Sequence, residues 1–210
     1  MIFRPDRYWA LLAAVALLQT AALIEIVHDR QALLNTGREI TIAVQPVDPR
    51  DLFRGDYVTL GYGLSPVTMS VARNGAPLDG IDRGRPVYVT VHPAASNTWT
   101  VTNLAARYPN AVAPGDVVLK GLVQSRWINT QIQTSGDAGA KTVGQDNGDI
   151  QFTVKYGIES YFVPEGTGKP LEDSVRDKKI QAVIAVAADG TAALKGLIID
   201  GERHEDPPLF

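Results

Sequence analysis

A charged segment at residues 48–62, DPRDLFRGDYVTLGY, holds the side chains best suited to chemistry. Carboxylates are the groups that bind hard cations such as Ca²⁺, and paired carboxylates serve acid–base catalysis. The segment supplies three of them, at Asp48, Asp51 and Asp56. Their spacing does not fit an EF-hand loop, and two neighbouring arginines oppose a bound cation. The sequence therefore predicts no metal site here.

Carboxylate catalysis needs at least two acidic side chains that share one concave site. The candidates are Asp51, Asp56, Glu159 and Glu165. Serine chemistry lacks a Gly-x-Ser-x-Gly elbow, and the absence of Cys excludes thiolate catalysis. A carboxylate-dependent hydrolase that acts on envelope material is thus one hypothesis.

The same segment also suits binding. Pro49 and the aspartates favour a turn that leads into a strand. Arg50 and Arg54 can contact phosphates or acidic partners, and Tyr57 and Tyr62 are amphipathic contact residues. Because turn chemistry explains the aspartates without catalysis, binding is favoured over an enzymatic role.

Composition limits the function classes. The chain has 210 residues, of which 45% are hydrophobic, and this suits one folded domain with an appendage. A net charge of -3 gives no basic field for nucleic acid, so no nucleic-acid partner is predicted. No cofactor is predicted either.

The first thirty residues differ from the rest. Residues 8–27 are apolar on every side, and a helix of that length spans about 30 Å, the hydrocarbon thickness of a bilayer. Arg4 and Arg7 favour a cytoplasmic N-terminus. The sequence predicts a single-pass anchor in the inner membrane, with everything after it extracytoplasmic. A buried core helix and a cleaved signal peptide are the alternatives.

The remaining chain alternates as β-strands do. The sequence predicts a mainly β domain, an antiparallel sandwich or partly open barrel, behind one N-terminal transmembrane helix. Asp189-Gly190 predicts a tight hairpin turn. Expected boundaries are a cytoplasmic stub and anchor at 1–28, a juxtamembrane segment at 29–38, the β domain at 39–203 and a tail at 204–210. The anchor helix is expected to continue briefly and to stop near Gly37.

The pattern G-D-Y-x-x-L-x-Y is met in full by Gly55, Asp56, Tyr57, Leu60 and Tyr62. Its lead-in, PVDPRDLFRGDYV, and two later blocks at 156–172 and 189–202 complete the likeness. The chain resembles the GDYXXLXY family of bacterial membrane-anchored proteins. The motif residues carried by this resemblance are Asp48, Pro49, Arg50, Asp51, Arg54, Gly55, Asp56, Tyr57, Leu60 and Tyr62.

The resemblance implies an accessory partner of a multi-spanning membrane protein and no particular reaction. We therefore expect a membrane-anchored extracytoplasmic binding or accessory module. It meets the membrane through residues 8–27 and a polytopic protein or lipid headgroups beyond it, with the 48–62 segment near the membrane surface. A purely structural scaffold, in which the motif only builds a turn and a strand, is the third hypothesis.

Overall fold

The computed structural model describes residues 5–45, 57–70, 80–94, 98–128, 149–162 and 180–205. Within them a single α-helix, α1 (Pro5–Thr36), is followed by twelve strands. The strands are β1 (Arg38–Gln45), β2 (Tyr57–Thr59), β3 (Gly61–Tyr62), β4 (Val67–Ser70), β5 (Pro86–Pro93), β6 (Trp99–Ala105), β7 (Val117–Ile128), β8 (Asp149–Lys155), β9 (Ser160–Phe162), β10 (Ile180–Val186), β11 (Ala192–Ile199) and β12 (Glu202–Glu205).

The strands form two five-stranded antiparallel sheets that share one hydrophobic core. One sheet has the order β12-β11-β10-β1-β3, and the other has the order β4-β8-β7-β5-β6. A two-stranded ribbon pairs β2 with β9. The indole N–H of Trp99, on the edge strand β6, donates to Thr41 O at 2.8 Å and joins the two sheets. The predicted fold class, mainly β with one N-terminal apolar helix, is confirmed.

The local patterns behave largely as predicted. Ile40, Ile42 and Val44 of β1 all face the core. β10 and β11 form the predicted hairpin, in which Val186 pairs with Ala192. Its turn residue Gly190 has φ 87°, a conformation that favours glycine.

Two predicted strands are interrupted. The alternation over 57–62 is divided at Leu60, because β2 pairs with β9 whereas β3 pairs with β1. The run from 149 to 163 is divided by a turn at 156–159. Residues 204 and 205, expected in the tail, belong to the edge strand β12.

Helix α1 is long and apolar enough to cross a membrane, and none of its most apolar stretch is buried. A helix in the core of a domain would be buried, so the exposure of α1 does not agree with the alternative of a core helix. The side chains become covered only in the last two turns, where Gln31 is 7% exposed and Arg30 donates to Ala192 O at 3.5 Å. The helix ends at Thr36, next to the predicted stop.

The single residue Gly37 connects α1 to β1. A Cβ at this position would lie 2.6 Å from Leu33 O and 3.1 Å from the Cβ of Ala185 in β10. Only glycine therefore fits without a shift of the helix or the strand. The sheet is attached to the helix directly, without a flexible linker.

Candidate functional site

The described part of the motif is built around two tyrosines. Each one hydrogen-bonds to the backbone of the segment that carries the other. The hydroxyl of Tyr62 donates to Ile158 O at 2.7 Å, and the hydroxyl of Tyr156 donates to Leu64 O at 2.8 Å. Each tyrosine thus reaches the carbonyl two residues beyond the other. We call this arrangement of Tyr62, Leu64, Tyr156 and Ile158 the tyrosine clasp.

The clasp is closed to solvent. Its four side chains are between 1% and 6% exposed. Burial, with a smaller contribution from the negative charge of Glu159, raises the pKa of both tyrosines far above the ordinary value. Both hydroxyls are consequently neutral donors, and their bonds to backbone carbonyls satisfy them.

Glu159 fixes the turn that carries half of the clasp. Its carboxylate accepts the backbone N–H groups of Tyr156 at 2.5 Å and Gly157 at 2.9 Å. Its backbone carbonyl accepts the N–H of Leu60 at 2.8 Å. The carboxylate, one of the four catalytic candidates, therefore serves as a local cap.

The other predicted site residues fall into two groups. Those outside the described residues are Asp48, Pro49, Arg50, Asp51, Arg54, Gly55, Asp56 and Glu165. Tyr57 begins β2, opposite Phe162, and Leu60 is 1% exposed in the core. The expectation that Tyr62 contacts a partner does not agree with its burial, since its ring and hydroxyl are both enclosed.

The clasp is remote from the helix. Tyr62 pairs with Val44, near the end of β1, while the helix joins β1 at Arg38. At about 3.4 Å per residue this separation is about 20 Å along the strand. The described part of the motif is therefore distant from the anchor. The charged loop at 48–56, for which a position near the membrane surface was predicted, lies outside the described residues.

A different region lies beside the anchor. A cleft of about 500 Å³ opens between the end of α1, the loop before β7 and the end of β10. Its apolar lining includes Leu33, Val112 and Val186. We call it the membrane-proximal cleft.

The floor of the membrane-proximal cleft is held by polar contacts. The Arg38 guanidinium donates to Asp116 O at 2.8 Å and to Gly115 O at 2.9 Å. The Asp116 carboxylate lies 2.5 Å from Nδ1 of His92. Tyr108 stacks edge-on against Tyr88, with ring centroids 5.6 Å apart. The cleft is therefore a built feature whose walls are fixed from several strands.

Sequence reasoning missed both features. Tyr-Gly-Leu at 62–64 and Tyr-Gly-Ile at 156–158 are a repeated signal for the clasp. The cleft has no such signal, because its lining comes from segments that are distant in sequence.

Taken together, the fold and the exposed helix define a class: a two-sheet β protein mounted directly on a helix that is long enough to cross a membrane. The family model described as GDYXXLXY protein matches residues 19–197, and the chain belongs to that family. No curated protein and no solved structure matches the chain.

Proposed function

We propose that the chain is a single-pass inner-membrane protein whose extracytoplasmic β domain is an accessory or binding module for a multi-spanning membrane protein. The observation that carries this proposal is the unburied apolar surface of α1, which continues into a domain attached through one residue. A domain so attached stays at the membrane face, where the partner's loops are.

The composition of the span favours a helix partner over lipid alone. Gln19 and Thr20 lie in the middle of residues 8–27, and both are exposed. Side chains of this type hydrogen-bond across helices in membranes, where the alternative is an unsatisfied polar group in hydrocarbon.

Affinity capture of the full-length protein from mild detergent tests the proposal. The matched control keeps residues 28–210 and replaces 8–27 with an unrelated apolar helix of equal length. We expect a polytopic protein in near-equal amount with the natural span and its loss with the substituted span. Equal recovery with both spans, or recovery of no polytopic protein, would contradict the proposal.

The orientation can be tested independently because the chain has no Cys. A single Cys at Gln124, exposed on β7, should react with an impermeant maleimide in intact spheroplasts. A Cys at Ile2 should react only after permeabilisation. The reverse pattern would place the β domain in the cytoplasm and overturn the predicted topology.

A structural role for the motif is supported separately by the tyrosine clasp, in which both buried hydroxyls donate to backbone carbonyls of the same domain. In this second candidate function, Asp56→Ala lowers the melting temperature, and any cellular phenotype follows protein abundance. Loss of phenotype at normal abundance would contradict it.

The carboxylate hydrolase stays a prediction. Glu159 is bound to backbone N–H groups, and the other three candidates lie outside the described residues. Asp51→Asn and Asp56→Asn at unchanged abundance test it, with turnover of envelope polymers as the readout.

A further inference from the structure

The membrane-proximal cleft is an open feature with a mixed polar and apolar lining, and the clasp does not use it. Tyr108 and Val112 on its outer wall remain 40% and 38% exposed. On the opposite wall, Leu33 and Thr36 present the last turn of α1. The cleft thus lies between the end of α1 and two side chains that stay partly exposed.

One face of α1 leads directly into the cleft. At about 100° per residue, the residues aligned with Leu33 on the helix surface are spaced three and four apart. They are Leu11, Val15, Leu18 and Ala22, and all are exposed. We call these four residues the leading face. A helix packed along it would emerge from the bilayer pointing at the cleft.

The height of the cleft above the hydrocarbon layer of the bilayer determines which part of a partner can reach it. If residues 8–27 fill the hydrocarbon layer, Leu33 lies about 9 Å and Thr36 about 13 Å beyond its edge. The headgroup layer is only about 5–7 Å thick on each side. The cleft therefore lies above the level of acyl chains, at the height of the loops that connect transmembrane helices.

We propose that the membrane-proximal cleft receives the apolar segment of a multi-spanning partner that directly adjoins the transmembrane helix packed on the leading face. Asp29 lies on the same helix face between Ala22 and Leu33 and is exposed. The partner segment accordingly carries a cationic side chain at that height. This inference rests on the proposed function and names the surface through which it operates.

Site-specific photocrosslinking of the full-length protein in intact cells tests the cleft. The probe is placed at Val112 on the cleft, at Leu18 on the leading face, and at Leu122 on the outer surface of β7 as a control. We expect Leu18 and Val112 to give adducts with one polytopic protein, mapped by peptide mass spectrometry to a transmembrane helix and to the segment adjoining it. Leu122 should give none.

The outcomes separate the two proposals. An adduct at Leu18 without one at Val112 leaves the accessory function intact and overturns the cleft proposal. Absence of a polytopic adduct at Leu18 counts against the accessory function itself. A Val112 adduct with lipid, with a second copy of this chain, or within the same chain also overturns the cleft proposal.

Filling the cleft gives a second test that does not depend on a loss of folding. Ala188 is exposed at the rim, so Ala188→Trp blocks the opening without entering the core. Gln124→Trp is the matched control on β7. We expect Ala188→Trp to reduce the Val112 adduct about tenfold, which corresponds to about 1.4 kcal/mol. The Leu18 adduct and the melting temperature should be unchanged. An undiminished Val112 adduct would overturn the proposal.

Asp29→Lys tests the charge at the same interface. We expect it to reduce the Val112 adduct more than Asp200→Lys, which changes charge by the same amount on the exposed turn between β11 and β12. If both variants reduce the Val112 adduct equally, the partner segment does not carry a cationic side chain opposite Asp29.

Discussion

The tyrosine clasp and the membrane-proximal cleft lie toward opposite ends of β1 and use their side chains in opposite ways. In the clasp, two buried tyrosines satisfy two backbone carbonyls and leave nothing for an outside partner. In the cleft, Tyr108 and Val112 remain partly exposed, and the apolar walls enclose open space.

Among the described residues, the difference separates the motif residues Leu60 and Tyr62, which are buried, from the residues that line an open surface. Leu60 and Tyr62 both hydrogen-bond to the turn before β9: the N–H of Leu60 donates to Glu159 O, and the hydroxyl of Tyr62 donates to Ile158 O. Next to the helix, the described residues that line the membrane-proximal cleft lie outside the motif and enclose open space. The two regions should therefore respond differently to mutation: the clasp through stability, and the cleft through association.

Removing an aromatic ring should give the largest contrast. Tyr62→Ala deletes a buried ring and its hydrogen bond, so we expect a loss of about 3–5 kcal/mol in unfolding free energy. Tyr108→Ala removes a ring that is 40% exposed, and about 1 kcal/mol is expected. Urea denaturation of the full chain in detergent measures both. Equal losses would erase the distinction between the two regions.

Removing only a hydroxyl sharpens the comparison. Tyr62→Phe and Tyr156→Phe each leave a buried carbonyl without its donor, and about 1–3 kcal/mol should be lost in each case. Tyr108→Phe is the control, with a change within about 0.5 kcal/mol. A neutral result for both clasp variants would mean that the two hydrogen bonds do not hold the segments together.

The turn that carries Tyr156 should be less sensitive. Glu159→Gln keeps one acceptor oxygen but replaces a charged acceptor of two N–H groups, so a loss of about 1–2 kcal/mol is expected. Glu202→Gln, on exposed β12, should change stability by less than about 0.5 kcal/mol. If both substitutions have the same effect, Glu159 does not act as a cap.

The smallest expected effect is a pH dependence near the helix. Hydrogen bonds from Lys195 and Arg203 lower the pKa of Glu39 below its ordinary value of 4.5. A lowered folded-state pKa adds stability above pH 4.5 that is lost as the pH falls through the folded value.

Glu39→Gln should therefore be less stable than the natural chain at pH 7, and the gap should close below pH 4.5. The gap itself should stay within about 1 kcal/mol, because the ion pairs are exposed and screened by solvent. Melting temperatures of both proteins from pH 7 to pH 3 measure it. A gap that widens in acid would contradict the assignment.

Local periodicity predicted most of the fold. The alternation in β1 and the Asp189-Gly190 turn specify their elements through contacts near in sequence, and both were found as expected. The break at Leu60 could not be predicted, because it depends on a strand about a hundred residues later in the chain. Strand β2 pairs with that strand, β9, whereas β3 pairs with β1. Strand β12 is four exposed residues that carry no apolar alternation.

The role predicted for residues 48–56 stays a prediction, because those residues lie outside the part of the chain that the structure describes. Charge density drew attention to residues 48–56, whereas in the described part of the motif the contacts are made by buried phenolic hydroxyls. Burial follows from tertiary packing, and a tyrosine in the core has the same sequence appearance as one on the surface. The membrane-proximal cleft arises only when α1, the loop at 106–116 and β10 meet.

The helix and the β domain are joined by the single residue Gly37 and by contacts of the last turns of α1, in which Gln31 is buried and Arg30 donates to Ala192 O. Transmembrane helices change their tilt with bilayer thickness and with neighbouring helices. In the proposed membrane-anchored state, these contacts would pass a change in the tilt of α1 to the β domain. The orientation of the domain would then report the tilt of its helix.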